Sequence, residues 1–311
     1  MKTDLRYPVY ILSKGRAKSR HTSKALDKIG VPYEVVIEEQ EYDDYAAQID
    51  PKKIRVLPFS NLGSATPVRN WILDDARERG TGRHWIMDDN IRGFYRLNRN
   101  LKTPVTTGAI FRAAEDFVDR YENVAMAGLN SMQFALRRSG RIRPFYRNLR
   151  VYSCYLLDNN VPFHYRGKAN QDTDMVIRLL KEGYCTVLFN AFLMQKLPTM
   201  SLKGGCTDIH KNNGRRDMAE WLAEMHPDVA KVSFRWGRPQ HVVNYRLFKN
   251  NPFIFKDPSI KYSPEPNEYG MVLEELDESV NEWKPRPIEK PYKNYFTTSK
   301  ETNNELLEET A

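Results

Sequence analysis

The chain has 311 residues, of which 41% are hydrophobic and 28% charged, and its 48 basic and 40 acidic side chains give a formal net charge of +8. This length suits one large domain or two ordinary ones, and the composition is that of a globular protein rather than a disordered or fibrous one. No apolar run approaches the roughly 18 residues that a membrane span needs, and the N-terminus lacks the apolar segment of a secretory signal. We therefore expect a chain that neither crosses a membrane nor is secreted.

The three cysteines, Cys154, Cys185 and Cys206, are far apart and form no C-x-x-C pair. This spacing argues against a disulfide framework and against a cysteine zinc site. We expect a reducing compartment, the cytoplasm.

The charge is unevenly distributed. Residues 246–311 hold 9 basic and 13 acidic side chains, so residues 1–245 hold 39 and 27, a net charge of +12. A basic body favours a polyanionic partner such as nucleic acid, nucleotide phosphates or a membrane surface. The alternative is a basic surface that serves solubility alone.

Strand and helix patterns alternate along the first half of the chain. Short apolar runs predict strands at 7–12, 33–37, 54–58, 84–87, 123–129 and 185–189. Helical spacing predicts helices at 22–29, 42–49, 68–78, 107–121 and 172–182. Such alternation indicates an α/β fold with a mixed, mostly parallel sheet flanked by helices. We place this domain at 1–245 and expect 246–311, rich in Pro and Tyr, to form an extension with an acidic, flexible tail.

Ligands of such folds bind at the carboxyl ends of the strands. Segments 13–20, 38–41 and 88–90 follow the first, second and fourth predicted strands. We therefore expect them along one edge of the sheet.

Segment 85–91, WIMDDNI, carries two carboxylates and a carboxamide directly after an apolar strand. Hard oxygen ligands suit Mg²⁺ or Mn²⁺, which neutralises a diphosphate. An acidic turn that caps the next element is the alternative.

Segment 13–20, SKGRAKSR, places four cations and a glycine before a helix. This pattern is typical of an anion site, although it is no P-loop, and a solvated basic turn is the alternative.

Two further segments carry possible chemistry. Asp172 opens the helix at 172–182 and could act as a general base toward a hydroxyl, although helix capping alone also favours an acid there. His210 follows the pair Gly204-Gly205 and could complete a metal shell or contact phosphate.

Basic and aromatic residues interleave at 137–152 and 233–246, a composition that suits phosphate contact and base stacking. Edge strands with solvated arginines are the alternative. The possible nucleic-acid contacts are Arg137, Arg138, Arg141, Arg143, Arg147 and Arg238.

Taken together, residues 7–215 resemble a GT-A-type nucleotide-sugar glycosyltransferase. PVYILSKGR at 8–16 is followed by the D-x-D-like site and by QDTDMVIRLLKEGYCTVLF at 171–189, which is similar to the acidic motif that leads a helix in that class. More narrowly, PVYILSKGR, RNWI at 69–72 and HWIMDDNI at 84–91 resemble the TET-associated glycosyltransferases. That group is largely phage-encoded and is implicated in adding sugars to 5-hydroxymethyl-pyrimidines in DNA, which would place this chain in a host cytoplasm.

The resemblance implies roles by position. Asp88 and Asn90 match the ends of D-x-D, where Asn departs from the usual Asp, and His210 is a looser match to a metal histidine. Asp172 matches the catalytic base of inverting members, although Gln171 replaces the preceding Glu. We assign nucleotide-sugar binding to Ser13, Lys14, Gly15, Arg16, Arg20, Glu38, Arg69, Asp88 and Asp89. For Lys14, Arg16 and Arg20 this assignment rests on their charge.

The sequence thus predicts a Mn²⁺- or Mg²⁺-dependent enzyme. It would transfer a sugar from a UDP-linked nucleotide sugar to the hydroxyl group of a 5-hydroxymethyl-pyrimidine in DNA. Transfer to a polysaccharide or protein is an alternative. A nucleic-acid module without catalysis is another, although bare carboxylates at 88–90 would repel phosphate. A metal-dependent nuclease would need more converging acids than the sequence offers.

Overall fold

The computed structural model describes residues 4–60, 63–98, 101–135, 143–198, 204, 214–235, 237–257 and 265. The strands are β1 (Val9–Leu12), β2 (Glu34–Ile37), β3 (Ile54–Val56), β4 (Arg83–Asp88), β5 (Ile91–Asn98), β6 (Leu101–Pro104), β7 (Val124–Ser131), β8 (Phe145–Arg147), β9 (Cys154–Asp158), β10 (Cys185–Lys196), β11 (Ala230–Arg235) and β12 (Arg238–Val243). The helices are α1 (His21–Lys28), α2 (Tyr42–Ala46), α3 (Thr66–Glu78), α4 (Ala109–Val118), α5 (Gln171–Lys181) and α6 (Gly214–Met225).

The central sheet is mixed, with strand order β3-β2-β1-β4-β9-β7-β10-β5-β6 and with β8 paired to β10. Strands β3, β2, β1 and β4 are mutually parallel, and β7 is parallel to β10. Strand β9 runs antiparallel between β4 and β7, and β5 runs antiparallel to β10 and β6. Strands β11 and β12 form a separate hairpin.

Helices cover both faces of the sheet, which explains why its strands are apolar on both sides. Along β1, Val9 and Ile11 belong to one buried cluster and Tyr10 to the other, as the two-residue period of a strand requires. Helices α1 and α4 pack on the first face through residues such as Leu26 and Phe111. Helices α3 and α5 pack on the second face. The predicted α/β class, with a mixed sheet flanked by helices, is confirmed.

Each predicted strand and helix begins within a few residues of an observed one. The differences are elements that were not predicted and one strand that is longer than predicted. The sequence patterns did not indicate β5, β6, β9 or α6. Strands β8, β11 and β12 lie in or at the edge of the two basic stretches for which edge strands were the alternative interpretation. Strand β10 runs to Lys196, seven residues beyond the predicted end at 189.

The prediction stopped β10 too early because Asn190 interrupts its apolar run. The structure buries Asn190 and satisfies its side chain, which accepts from Asn130 Nδ2 at 2.8 Å and donates to the Arg143 carbonyl at 2.9 Å. A buried amide with its partners in place does not end a strand.

The chain continues past residue 245 as a 3-10 turn, Tyr245–Phe248, and then packs against the sheet layer. Phe253 stacks on Tyr121 with ring centroids 4.4 Å apart, and Asn123 Nδ2 donates to the Pro252 carbonyl at 2.7 Å. The extension at 246–311 stays a prediction, because most of it lies outside the described residues. Among the described residues, no helix is both long and apolar enough to cross a membrane.

Glu115 on α4 is a buried carboxyl beneath the sheet. It accepts hydrogen bonds from Trp85 Nε1 at 2.9 Å and from the Arg6 amide at 2.8 Å. Burial raises the pKa of Glu115 to about 7, although both hydrogen bonds and Arg112 oppose the increase.

This pKa predicts a pH-dependent stability. Because the folded chain binds a proton at Glu115 that the unfolded chain has lost, the free energy of unfolding rises as the pH falls from about 7 toward the ordinary value of 4.5. In Glu115→Gln this rise in the free energy of unfolding should be absent. Denaturant unfolding of the wild type and the variant between about pH 7 and pH 4.5 measures it. The exposed Glu122→Gln serves as the control and should follow the wild type. Parallel pH dependences for the wild type and Glu115→Gln would contradict the assignment.

Candidate functional site

The carboxyl ends of β1, β2 and β4 meet at one edge of the sheet. Leu12 is paired with Asp88, so Ser13 and Asp89 leave their strands side by side, and Ser13 Oγ donates to Asp89 Oδ2 at 2.9 Å. Lys14 Nζ donates to Glu38 Oε1 at 2.6 Å. The three segments expected along one edge therefore do lie together.

These strand ends form one side of an open cleft of about 1070 Å³. Val36, Leu57 and Val68 give this side an apolar wall. The opposite side comes from the ends of β7 and β10, from the segment before β9 and from β12. The described residues that line the cleft include seven cations, Lys14, Arg16, Arg69, Arg150, Lys168, Lys196 and Arg238, against four carboxylates, Glu38, Asp88, Asp89 and Asp172.

The basic segment after β1 is held by carboxylates. Arg16 forms an ion pair with Asp89, and the Gly15 amide, at φ +64°, donates to Glu41. Arg20 begins α1 in the left-handed region at φ 39°, and its Nε donates to the Ala17 carbonyl at 2.7 Å. Arg20 therefore helps to shape the loop, whereas Lys14 and Arg16 line the cleft.

Gly204 approaches this same segment closely. Arg16 Nη2 donates to the Gly204 carbonyl at 3.2 Å. A Cβ at Gly204 would lie 2.6 Å from the Lys14 carbonyl oxygen. The absence of a side chain at Gly204 thus allows its backbone to approach the loop after β1 closely.

Asp88, the last residue of β4, lies at the floor of the cleft between two cations. Its Oδ2 accepts a hydrogen bond from Lys196 Nζ at 2.7 Å, and its Oδ1 lies 3.4 Å from Arg69 Nη2. Burial would raise the pKa of Asp88, but Lys196 and Arg69 outweigh it and lower the pKa to about 2. Asp88 is therefore an ionised carboxylate with paired charge.

Arg69 enters the floor from α3 and is only 6% exposed. Its guanidinium donates to the Tyr155 hydroxyl and is also within electrostatic reach of Asp172. Arg69 thus connects the two carboxylates, Asp88 and Asp172, that the sequence placed in different motifs.

Asp172 lies in the first turn of α5 and faces the cleft. Its Oδ1 accepts from the Thr173 amide at 2.7 Å, and its Oδ2 lies 3.5 Å from Arg150. Burial opposes ionisation, but Arg150 and Arg69 lower the pKa of Asp172 below its usual value. Asp172 is therefore an ionised carboxylate at neutral pH.

Asp174, two residues further on, has a different role. Its side chain is 0% exposed and is paired with Arg166, Arg178 and His226 at 2.9 to 3.0 Å. It fixes α5 to its neighbours, whereas Asp172 faces the cleft.

The far side of the cleft is aromatic and basic. Phe134 is 63% exposed there, and Tyr146, Tyr152 and Arg238 line the same side. Exposed aromatic rings beside arginine suit a planar, anionic partner such as a nucleotide.

The side chains at 88–90 are already engaged with neighbouring groups. Both oxygens of Asp88 contact cations, and Asp89 accepts from Ser13 and Arg16. Asn90 Oδ1 is buried with no hydrogen-bond partner among the described residues, but this amide oxygen is neutral and would bring no charge to a metal ion. Within the described part of the chain, no group of three His, Cys, Asp or Glu could hold a metal. As they stand these residues do not fit Mn²⁺ or Mg²⁺, and His210 lies outside the described residues, so the metal stays a prediction.

Sequence reasoning found one side of the site and missed much of the other. Ser13, Lys14, Arg16, Glu38, Arg69, Asp88, Asp89, Asn90 and Asp172 all line the cleft. Lys196 was missed because it is a lone lysine after an apolar run, and Arg150 was noticed only as part of an arginine-rich stretch. Of the arginines considered for nucleic acid, Arg137, Arg138 and Arg141 lie outside the described residues, Arg143 and Arg147 are exposed, and Arg238 lines the cleft.

A polar cleft at the strand ends of an α/β sheet is the place where proteins of this class bind their ligands. The family model described as TET-Associated Glycosyltransferase matches residues 7–205, more than half of the chain. The chain belongs to this family and is a glycosyltransferase, so its substrates are a nucleotide sugar and an acceptor.

Other comparisons add little to this assignment. No curated protein matches the chain significantly. A mannose-1-phosphate geranyltransferase from Thermus thermophilus is similar at 13% identity over 77% of this chain and 74% of that one, with a TM-score of 0.30. A mannose-6-phosphate isomerase from Helicobacter pylori is similar at 9% identity over 78% and 89%, with a TM-score of 0.28.

The close approach of Gly204 yields a prediction. Gly204→Ala should lower the unfolding midpoint and weaken UDP binding, because its Cβ would push the Lys14–Gly15 backbone away at a position with φ +84°. Thermal unfolding and titration calorimetry measure the two effects. Gly183→Ala is the matched control, since Gly183 has the same φ of +84° with no atom within 4 Å of the new Cβ. It should lower the midpoint without changing UDP affinity, and equal UDP affinity in both variants would contradict the role of Gly204.

Proposed function

We propose that this glycosyltransferase moves a sugar from a UDP-linked donor to the hydroxyl group of a 5-hydroxymethyl-pyrimidine in DNA. The observation that carries this proposal is the position of Asp172, which lines the same cleft as the basic strand-end loop and the exposed aromatic side. One carboxylate is thereby available to a donor and an acceptor that enter from opposite sides.

We assign the donor to the side formed by β1, β2 and β4. The apolar wall of Val36, Leu57 and Val68 suits the uracil ring, and Lys14 and Arg16 supply positive charge toward the phosphates. Arg69 and Lys196 add charge at the floor. No step of the proposed reaction passes through a divalent ion.

We assign the acceptor to the side that carries Phe134, Tyr146 and Arg238. An exposed ring can stack on a base, and an exposed arginine can contact a phosphate. The net charge of +12 on residues 1–245 supports a polyanionic acceptor. A base that leaves the duplex to reach a deep cleft costs a few kcal/mol of unstacking, which such rings offset.

Asp172 serves as the general base in this arrangement. Because its pKa lies below the usual value, it is ionised throughout the neutral range and accepts the proton of the primary hydroxyl as the new bond to the sugar forms.

Asp172→Asn should reduce turnover about 10²-fold or more, because an amide cannot accept the proton. The affinity for UDP should stay close to that of the wild type. The unfolding midpoint should fall less than in Asp174→Asn, because Asp172 is partly exposed and its partner Arg150 is itself 39% exposed. Steady-state kinetics, titration calorimetry and thermal unfolding measure the three quantities.

Asp174→Asn is the matched control two residues away. It should lower the unfolding midpoint, because it removes a charge that faces Arg166, Arg178 and His226. Near-normal turnover in Asp172→Asn would remove Asp172 as the base.

The acceptor is tested with matched DNA duplexes that contain cytosine, 5-hydroxymethylcytosine, thymine or 5-hydroxymethyluracil. Each is incubated with a panel of UDP-sugars, digested to nucleosides and analysed by mass spectrometry. We expect the mass of one sugar on a hydroxymethylated nucleoside and none on the plain bases, with the signal strongly reduced in Asp172→Asn. A protein that binds UDP-sugar and leaves every duplex unchanged, yet glycosylates a polysaccharide or protein, would contradict the DNA acceptor.

A further inference from the structure

Lys196 occupies a fixed position at the floor of the cleft. It ends β10 at a register shift between Gln195 and Lys196, where it pairs with Ile91 of β5. The next amide, of Leu197, donates to the Asn90 carbonyl at 3.0 Å. The backbone of β10 is therefore fixed against the turn that follows β4, and a bulge of this kind redirects a side chain.

Two of the three hydrogen-bond donors of the Lys196 ammonium group have partners among the described residues. Its Nζ donates to Asp88 Oδ2 at 2.7 Å and to Ser153 Oγ at 2.6 Å. A lysine has three donors, so the third has no partner among the described residues. Because Lys196 and Asp88 both line the cleft, a bound anion can reach that donor.

Arg69 places a second positive charge on the other oxygen of Asp88, at 3.4 Å. Two cations thus surround one carboxylate, which leaves a net positive charge where the expected D-x-D motif would hold its metal. A divalent ion at Asp88 would be repelled by both cations unless it displaced them, since like charges at this range interact strongly in a partly buried site.

We propose that Lys196, with Arg69 beside it, neutralises the leaving diphosphate of the sugar donor in the place of a divalent ion, and that Asp88 positions the two cations. This inference rests on the proposed function only in requiring a nucleotide-sugar donor. In this role Lys196 is a preorganised hydrogen-bond donor that stabilises the negative charge as it develops on the leaving diphosphate.

The transfer balances without a metal. The bond between the anomeric carbon and the diphosphate oxygen breaks, and its electron pair stays on the diphosphate. The acceptor oxygen bonds to the anomeric carbon, and its proton goes to Asp172. Lys196 and Arg69 keep their protons and hydrogen-bond to the departing oxygen.

Titration calorimetry of the full-length protein with UDP is the first test. UDP affinity in excess EDTA should match that in Mn²⁺ within about 2-fold, and UDP-sugar turnover should likewise survive EDTA. UDP binding that is lost in EDTA and restored by Mn²⁺ would overturn the inference. The site would then bind a metal ion, as the resemblance to D-x-D implies.

Lys196→Ala provides the second test. In excess EDTA it should lose about 10²-fold or more in turnover, as when one preorganised donor is removed. Lys196→Arg should retain most of the activity, because it preserves the charge. Added Mn²⁺ should partly restore Lys196→Ala, since the vacated Asp88 oxygen can then bind it, but should not stimulate the wild type.

Lys181→Ala is the matched control, because Lys181 also pairs with an aspartate, Asp228, at 2.7 Å, but on the outer end of α5. It should behave as the wild type in every assay. If Lys196→Ala does not fold, Lys196→Gln removes the charge and keeps two donors, and wild-type turnover of either variant in EDTA would refute the inference.

The outcomes separate the two proposals. If neither UDP nor any UDP-sugar binds, with or without Mn²⁺, both the proposed function and this inference fail. If UDP binds only with Mn²⁺ and Lys196 variants behave as the wild type, this inference alone fails.

Discussion

The cleft depends on ion pairs between carboxylates and cations that come from different elements of the fold. Asp89, directly after β4, pairs with Arg16 of the loop after β1. Asp88 pairs with Lys196 of β10, and Asp172 of α5 pairs with Arg150. Charges that are largely removed from water are tolerated only when their partners are in place. The cleft therefore assembles only when β1, β4, β10 and α5 have come together. Formation of the site is in this way coupled to folding.

Much of the fold could be predicted because its signals are local. The buried strands β1, β2 and β4 are short apolar runs followed by polar residues, and the amphipathic α5 shows its spacing directly. The strands that were not predicted have weaker local signals. In β5 the alternation is broken by Gly93. The prediction ended β10 before Asn190, whose buried side-chain oxygen accepts a hydrogen bond from Asn130 of a neighbouring strand. That partner is sixty residues away and leaves no mark on the local pattern.

The site follows the same rule. Sequence placed Ser13, Glu38 and Asp88 on one edge, because strand ends of a parallel sheet meet there, and it favoured Asp172 through resemblance. It could not distinguish Asp172 from Asp174 in their roles, since only the tertiary contacts with Arg166, Arg178 and His226 show that Asp174 is saturated. Nor could it show that the acids at 88–90 are neutralised from within, because Lys196 is 108 residues from Asp88 and Arg16 is 73 from Asp89. An isolated acidic pair resembles a metal site until its distant cations are known.

The distribution of charge also suits the two substrates of the proposed reaction, both of which are anionic. A diphosphate and a nucleic-acid backbone repel each other, so their approach to a shared carboxylate needs compensating charge on both sides of it. The floor supplies Arg69 and Lys196, which are partly or wholly buried and act at short range, whereas the far side supplies the exposed Arg238. Buried cations retain their strength in salt and exposed ones are screened. In the proposed reaction the donor would thus be held by charges that the fold fixes in place, and the DNA acceptor by exposed charges that allow a large polymer to bind, move and leave.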